Sequence, residues 1–202
     1  MRKLLLPLSL VLLAGCVGGA KSVSNVASYD LGAVLAAPNN RIVASLRSID
    51  VFAVAWLDSS AMQYRLQYAA NQRRQSYAES RWVAPPPELV GFGLRKRMLS
   101  GEAGGTCRLR IDLDEFVQVF DSAKDSRAVL EARAQLVAPT GGEVLARHSF
   151  SVSRPAASPD AAGGAAAMAG AVEALSTELH DWLGGLDRPG ATGLNIAQRC
   201  KG

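Results

Sequence analysis

The chain has 202 residues, 49% of them hydrophobic and 20% charged, with 22 basic against 18 acidic side chains. Those proportions are globular and exclude wholesale disorder. If Arg2 and Lys3 leave with a leader, the net charge falls to about +2, too mild to indicate a nucleic-acid partner, and no basic cluster is interleaved with aromatics.

Arg2 and Lys3 precede an apolar run from Leu4 to Leu13. The run is about 10 residues, short of the roughly 20 that a spanning helix requires. A charged start, a short apolar stretch and small residues at its end describe a secretory signal. Leu13-Ala14-Gly15-Cys16 also has the lipobox pattern of bacterial lipoproteins, in which cleavage precedes the cysteine and the cysteine is acylated. Two or more acyl chains, at about 0.8 kcal/mol per buried methylene, hold a protein stably on a bilayer. The expected organisation is a signal peptide over 1–15, lipid attachment at Cys16 and a flexible tether over 16–27. A domain over 28–187 and a C-terminal tail over 188–202 follow. Val17, in place of aspartate, points to the periplasmic face of the outer membrane. The alternative is a soluble secreted protein with an incidental cysteine beside its cleavage site.

In "RIVASLRSIDVFAVAW" Ile42, Ala44 and Leu46 alternate as in a strand. Met62, Tyr64, Leu66 and Tyr68 alternate against Gln63, Arg65 and Gln67, which predicts a half-buried strand turning at "NQRR" (71–74) into "QSYAESRWV". "APPPELVGFGLRKRMLSG" predicts a helix with Pro87 and Glu88 in its first turn and Gly101 as its stop. Its apolar stripe is Leu89, Phe92, Met98 and Leu99, and "RKR" at 95–97 is its solvated face.

Three strands follow. Cys107, Leu109, Ile111 and Leu113 alternate with Arg108, Arg110, Asp112 and Asp114, and the parity slips near Glu115, predicting a bulge or bend. "SRAVLEARAQLVAP" and "EVLARHSFSVSRP", separated by "PTGG", complete an antiparallel meander. A long helix over 159–186 carries Met168, Val172, Leu175, Leu179, Trp182 and Leu186 on one face. Ser158 is its expected cap and Pro159 its first residue, and Gly163 and Gly164 permit close approach to a sheet. The fold class is α+β: an antiparallel or mixed sheet with two main helices on one face.

Cys107 and Cys200 remain once Cys16 is acylated. In an oxidising compartment two such cysteines tend to pair, the alternative being one buried thiol and one on a mobile tail. Neither cysteine has zinc-ligand spacing. His148 and His180 are the candidates for neutral-pH proton transfer, with His148 in a strand and His180 late in a helix, where a structural role is expected. Asp112 and Asp114 share a strand face, but carboxylates alternating with arginines there describe a solvated surface. No catalytic, cofactor or metal site is expected, and the chain reads as a non-enzyme.

"VAWLDSSAMQYRLQYA", "YAESRWVAPPPELV", "LRIDLDEFVQVFDS" and "SPDAAGGAAAMAGAVEALSTELHDWL", in that order, resemble the ABC-type transport auxiliary lipoprotein family, which includes the lipoprotein of the paraquat-inducible system. The resemblance spans roughly Tyr29 to Leu186. It implies a subunit working with a mammalian-cell-entry (MCE) domain protein and an inner-membrane ABC permease and ATPase to move lipids or other hydrophobic molecules across the envelope. It brings no catalytic residue. Trp56, Tyr64, Phe116 and Phe120 are the candidate partner surface, for the MCE protein or for another copy in a homo-oligomer; filling the core or covering a sheet edge is the alternative for Trp56, Tyr64, Tyr68 and Trp82. An independent envelope lipoprotein that binds peptidoglycan or outer-membrane proteins is the second functional reading.

Overall fold

The computed structural model describes residues 25–32, 46–99, 105–186 and 195–201. The predicted signal peptide, Cys16 and Ile42 and Ala44 of the expected strand lie outside them. Seven strands make one mixed sheet: β1 (Ala27–Tyr29), β2 (Leu46–Ala53), β3 (Ala61–Leu66), β4 (Asn71–Trp82), β5 (Cys107–Phe120), β6 (Ser126–Val137) and β7 (Val144–Pro155). Helices α1 (Gln67–Ala70), α2 (Pro86–Met98), α3 (Ala161–Gly185) and α4 (Ile196–Arg199) and a 3-10 turn over Ala55–Leu57 complete the described elements. The sheet order is β1-β4-β3-β5-β6-β7, with β2 also on β5. α2 packs over β2, α3 over β6 and β7, and the two helices touch each other, so the core lies between one sheet face and this helix layer.

β5 is the axis of the sheet. β2 runs parallel to its first half, from Leu46↔Cys107 to Ala53↔Leu113, and β3 runs parallel to its end, from Tyr64↔Gln118 to Leu66↔Phe120. Between Ala53 and Tyr64 the edge chain loops out while β5 advances only from Leu113 to Gln118. β5 also slips register against β6 between Leu113 and Glu115. Since side chains alternate across a strand, one extra residue exchanges the faces. Cys107, Leu109, Ile111 and Leu113 face the helices before the slip, and Phe116, Gln118 and Phe120 face them after it. The expected outward display of Phe116 and Phe120 is therefore corrected: they are 2% and 8% exposed, turned to the helix side by the bulge. Glu115, Val117 and Val119 take the opposite face.

The hairpin between β3 and β4 also differs from expectation. The alternation runs on to Tyr68, but β5 ends at Phe120 and offers β3 no partner beyond Leu66. The chain closes a single helical turn over Gln67–Ala70, Tyr68 is exposed, and "NQRR" opens β4 instead of forming the turn. The β5–β6–β7 meander forms as predicted, with Gly141 and Gly142 at φ of 71° and 68° in the β6–β7 turn, where side-chain-bearing residues are strained.

α2 begins with Pro86 in its first turn, where a missing N–H costs nothing, and carries Glu88 at its positive end and Arg95, Lys96 and Arg97 at its negative end. Its buried stripe is Leu89, Val90, Leu94 and Met98. Phe92, predicted to be buried, is 53% exposed. Arg97 departs from the solvated "RKR" face: its side chain is buried, and its Nε donates to Ser176 Oγ of α3 at 3.2 Å while its Nη2 meets Glu173 Oε1 at 3.1 Å.

On α3, Met168, Val172, Leu175 and Leu179 are buried as predicted, each contributing about 1.5–3 kcal/mol relative to exposure. The cap is Asp160, two residues beyond the expected Ser158. Asp160 Oδ1 accepts from Gly163 N at 2.7 Å and from Ser158 Oγ at 2.8 Å, and these bonds hold its carboxyl below the ordinary range. The helix start rests on Gln118 of β5, buried within hydrogen bonds. Its Nε2 donates to Ser126 Oγ (2.8 Å) and Asp160 O (3.1 Å), and its Oε1 accepts from Tyr77 OH of β4 (2.9 Å). Burial raises the Tyr77 hydroxyl pKa, keeping it a donor.

Cys107 and Cys200 are joined by a disulfide across 93 positions of sequence. Ile196 is buried, Thr106 N donates to Cys200 O at 2.9 Å, and Arg199 pairs with Glu143, so the tail around α4 is docked at the start of β5. Closing so long a loop contributes about 2–5 kcal/mol.

A Cβ on Gly164 would lie 2.0 Å from Gln118 Oε1, whereas one on Gly170 of the same helix meets nothing within 4 Å. Gly164→Ala is expected to lower stability by about 1–3 kcal/mol and Gly170→Ala to raise it by up to about 1 kcal/mol. Urea unfolding with opposite shifts of midpoint is the check, and equal shifts would exclude close packing at Gln118.

Candidate interaction surface

The sheet face opposite the helices carries most of the arranged charge. On it Arg110 binds Asp112 through Nη2 (2.9 Å) and Nε (3.2 Å), and Arg133 of β6 binds Asp114 through Nε and Nη2, both at 2.7 Å. These two-pronged contacts keep both guanidinium groups firmly charged. The sequence expectation that Asp112 and Asp114 are solvated strand carboxylates agrees with this pairing.

Where β5 slips, Glu115 becomes the centre of a half-buried cluster. It accepts from Arg65 Nη2 of β3 at 3.0 Å and from Arg74 Nη2 of β4 at 2.6 Å. Arg74 Nη1 continues to Gln63 Oε1 (2.8 Å), and Gln63 Nε2 donates to the carbonyl of Trp56 (2.8 Å). Trp56 sits in a 3-10 turn, Ala55–Leu57, on the looped-out segment, pinned from below by buried Leu57. Trp56 is 54% exposed, with the Arg74 guanidinium 5.9 Å from the centre of its ring. Phe52 is 48% exposed on the same face, with Arg110 4.4 Å above its ring. A shallow cleft of about 370 Å³ runs beside it, lined by Asp50, Phe52, Arg108, Arg110 and Val144 among others.

Of the four predicted contact residues, Trp56 alone is exposed. Tyr64 is half-buried on the helix side, its ring 4.8 Å from Tyr77 and 5.8 Å from Phe120; Phe116 packs 5.5 Å from Trp82, which is buried in the core. Phe52 was missed, although its parity in "SIDVFAV" sets it with Asp50 against Ile49, Val51 and Ala53. His148 stacks on Trp182 at 5.7 Å and meets Phe150 edge-on at 4.7 Å; His180 Nδ1 lies 3.5 Å from Asp181. No group of three His, Cys, Asp or Glu able to hold a metal occurs among the described residues, and no described helix is long and apolar enough to cross a membrane.

The family model of the ABC-type transport auxiliary lipoprotein component matches residues 36–180. The chain belongs to that family. Its fold resembles the crystal structure of a Xanthomonas campestris protein assigned to DUF330, at 21% identity and a TM-score of 0.61, covering 78% of this chain and 93% of that one. It also resembles the crystal structure of an uncharacterized protein at 12% identity and a TM-score of 0.58, covering 79% and 99% of the two chains. At these identities the likeness concerns the fold alone. No curated protein matches the sequence. Membership makes this a transport auxiliary lipoprotein, whose name gives it an auxiliary role beside a transporter.

Glu115→Gln removes the charge that both Arg65 and Arg74 share. It is expected to cost about 1–3 kcal/mol, whereas Phe52→Ser on the exposed part of the same face should change stability by less than about 0.5 kcal/mol. Chemical denaturation of both variants tests the cluster; equal effects would count against it.

Proposed function

We propose that the mature chain is a lipid-anchored, non-catalytic docking subunit of an envelope transporter for lipids or other hydrophobic molecules. Family membership over most of the domain carries this reading. In it, Cys16 bears the acyl chains and Val17 directs the protein to the periplasmic face of the outer membrane. The domain then meets an MCE-domain protein that serves an inner-membrane ABC permease and ATPase. The lipobox spacing supports the anchor. The rigid presentation of Trp56 and Phe52 supports docking, since exposed aromatics flanked by arginines are the composition of interface centres.

Cys16→Ser is expected to move the protein from the membrane fraction to the soluble periplasmic fraction and to abolish transporter-dependent envelope tolerance. Full membrane retention with full tolerance would overturn the anchor. A photo-crosslinking amino acid in place of Trp56 is expected to capture an MCE-domain protein in intact cells; capture only of unrelated envelope proteins would remove that face from the docking role.

A further inference from the structure

β7 ends the sheet. Its inner edge pairs with β6 from Val144 to Pro155, and from Ala146 onward that pairing runs without a register break. Among the described residues nothing pairs with its outer edge, leaving a regular row of backbone donors and acceptors facing outward. Proteins commonly blunt such an edge with a bulge, a short strand, a covering segment, charged side chains or a proline, and β7 has the last two in Arg147, Arg154 and its final Pro155. Here the only irregularity lies at the start of the strand, between Leu136 and Val137 of its partner.

The side chains on this edge have one sign. β7 contains Arg147, His148 and Arg154 and no acid. Arg147 and Arg154 are exposed, and neither has a carboxylate partner among the described residues; Arg154 donates only to the carbonyl of Ser153. On the open face, Ser149, Ser151 and Ser153 are too short to cover the positions beside them. Gln135 stands opposite Arg147, and Arg133, paired with Asp114, opposite Ser149; Glu131 opposite Ser151 is the only acid on β6.

We infer that the outer edge of β7 is a strand-addition site for an extended acidic peptide segment. Main-chain pairing supplies the affinity, and carboxylates on both faces of the added strand, beside Arg147 on the open face and Arg154 on the helix-side face, supply the selectivity. A second copy of this edge is a poor occupant, since pairing β7 with itself gathers arginine and histidine from both strands at one seam with no acid to offset them. The inference stands on the strand alone and does not depend on the transport reading, which the Cys16 experiment tests separately.

The test uses the full chain in detergent and two fluorescein-labelled ten-residue peptides, one of valine and threonine with glutamates at positions of both parities, the other with lysine in place of glutamate. The acidic peptide is expected to bind, to weaken as salt rises, and to slow amide hydrogen exchange across 144–155. Arg147→Glu with Arg154→Glu, at an unchanged urea midpoint, is expected to weaken acidic-peptide binding about tenfold or more and to favour the lysine peptide. Three results would overturn the proposal: no binding of the acidic peptide, equal binding of both peptides, or acidic-peptide binding that leaves the β7 amides unprotected. Any of them would reduce Arg147 and Arg154 to guards against edge-to-edge aggregation.

Discussion

Everything on both faces of the sheet depends on the change of parity in β5 at Asp114. A strand of this length with one continuous alternation would put Glu115 and Val117 into the helix layer and Phe116 out in water. Shifting the register by one residue reverses that, so Phe116 can meet Trp82 while Glu115 emerges between Arg65 and Arg74. The same place is where β2 leaves β5 and the chain loops out to return as β3. A bulge increases local twist and frees the neighbouring edge, which makes room for the segment carrying Trp56. The core and the aromatic display are two results of one irregularity.

The helices are referenced to that strand by polar side chains as well as by packing. Gln118 lies just past the slip and ties β4, β6 and the start of α3 together through hydrogen bonds of its side-chain amide, which fix orientation more sharply than apolar contact does. At the other end of the layer Arg97 binds α2 to α3 through Ser176 and Glu173. A buried arginine is costly when deprived of its partners, so this contact favours one relative placement of the two helices.

The architecture was readable where periodicity is long and clean. α3 shows its stripe over about five turns, the meander alternates over three consecutive strands, and the α+β class follows from them. Positions set by what lies across the sheet leave no local trace in the sequence. The slip near Glu115 was visible, but which side Phe116 and Phe120 would take depended on its partners. Tyr68 fits the alternation of β3, yet the end of β5 decides where β3 stops. Arg97 looks solvated in "RKR" because nothing local announces Ser176, many positions later. Ser158 and Asp160 are both good caps, and only the position of Gln118 selects the second. For the surface, Trp56 stands out in the sequence, while the outward parity of Phe52 is hidden inside an otherwise apolar run.

The bond between Cys107 and Cys200 gives the domain a mechanical polarity. β5, β6, β7 and α3 lie inside one covalent ring, and β1 to β4 with α2 lie upstream of it. Tension entering from the N-terminal side would first reach β1, whose 3 residues hold a short parallel register with β4. That pairing can release while the ring keeps its strands together, so the chain has a yielding end and a locked end. Surfaces carried within the ring, the β7 edge among them, would keep their shape under loads that peel the first strand away.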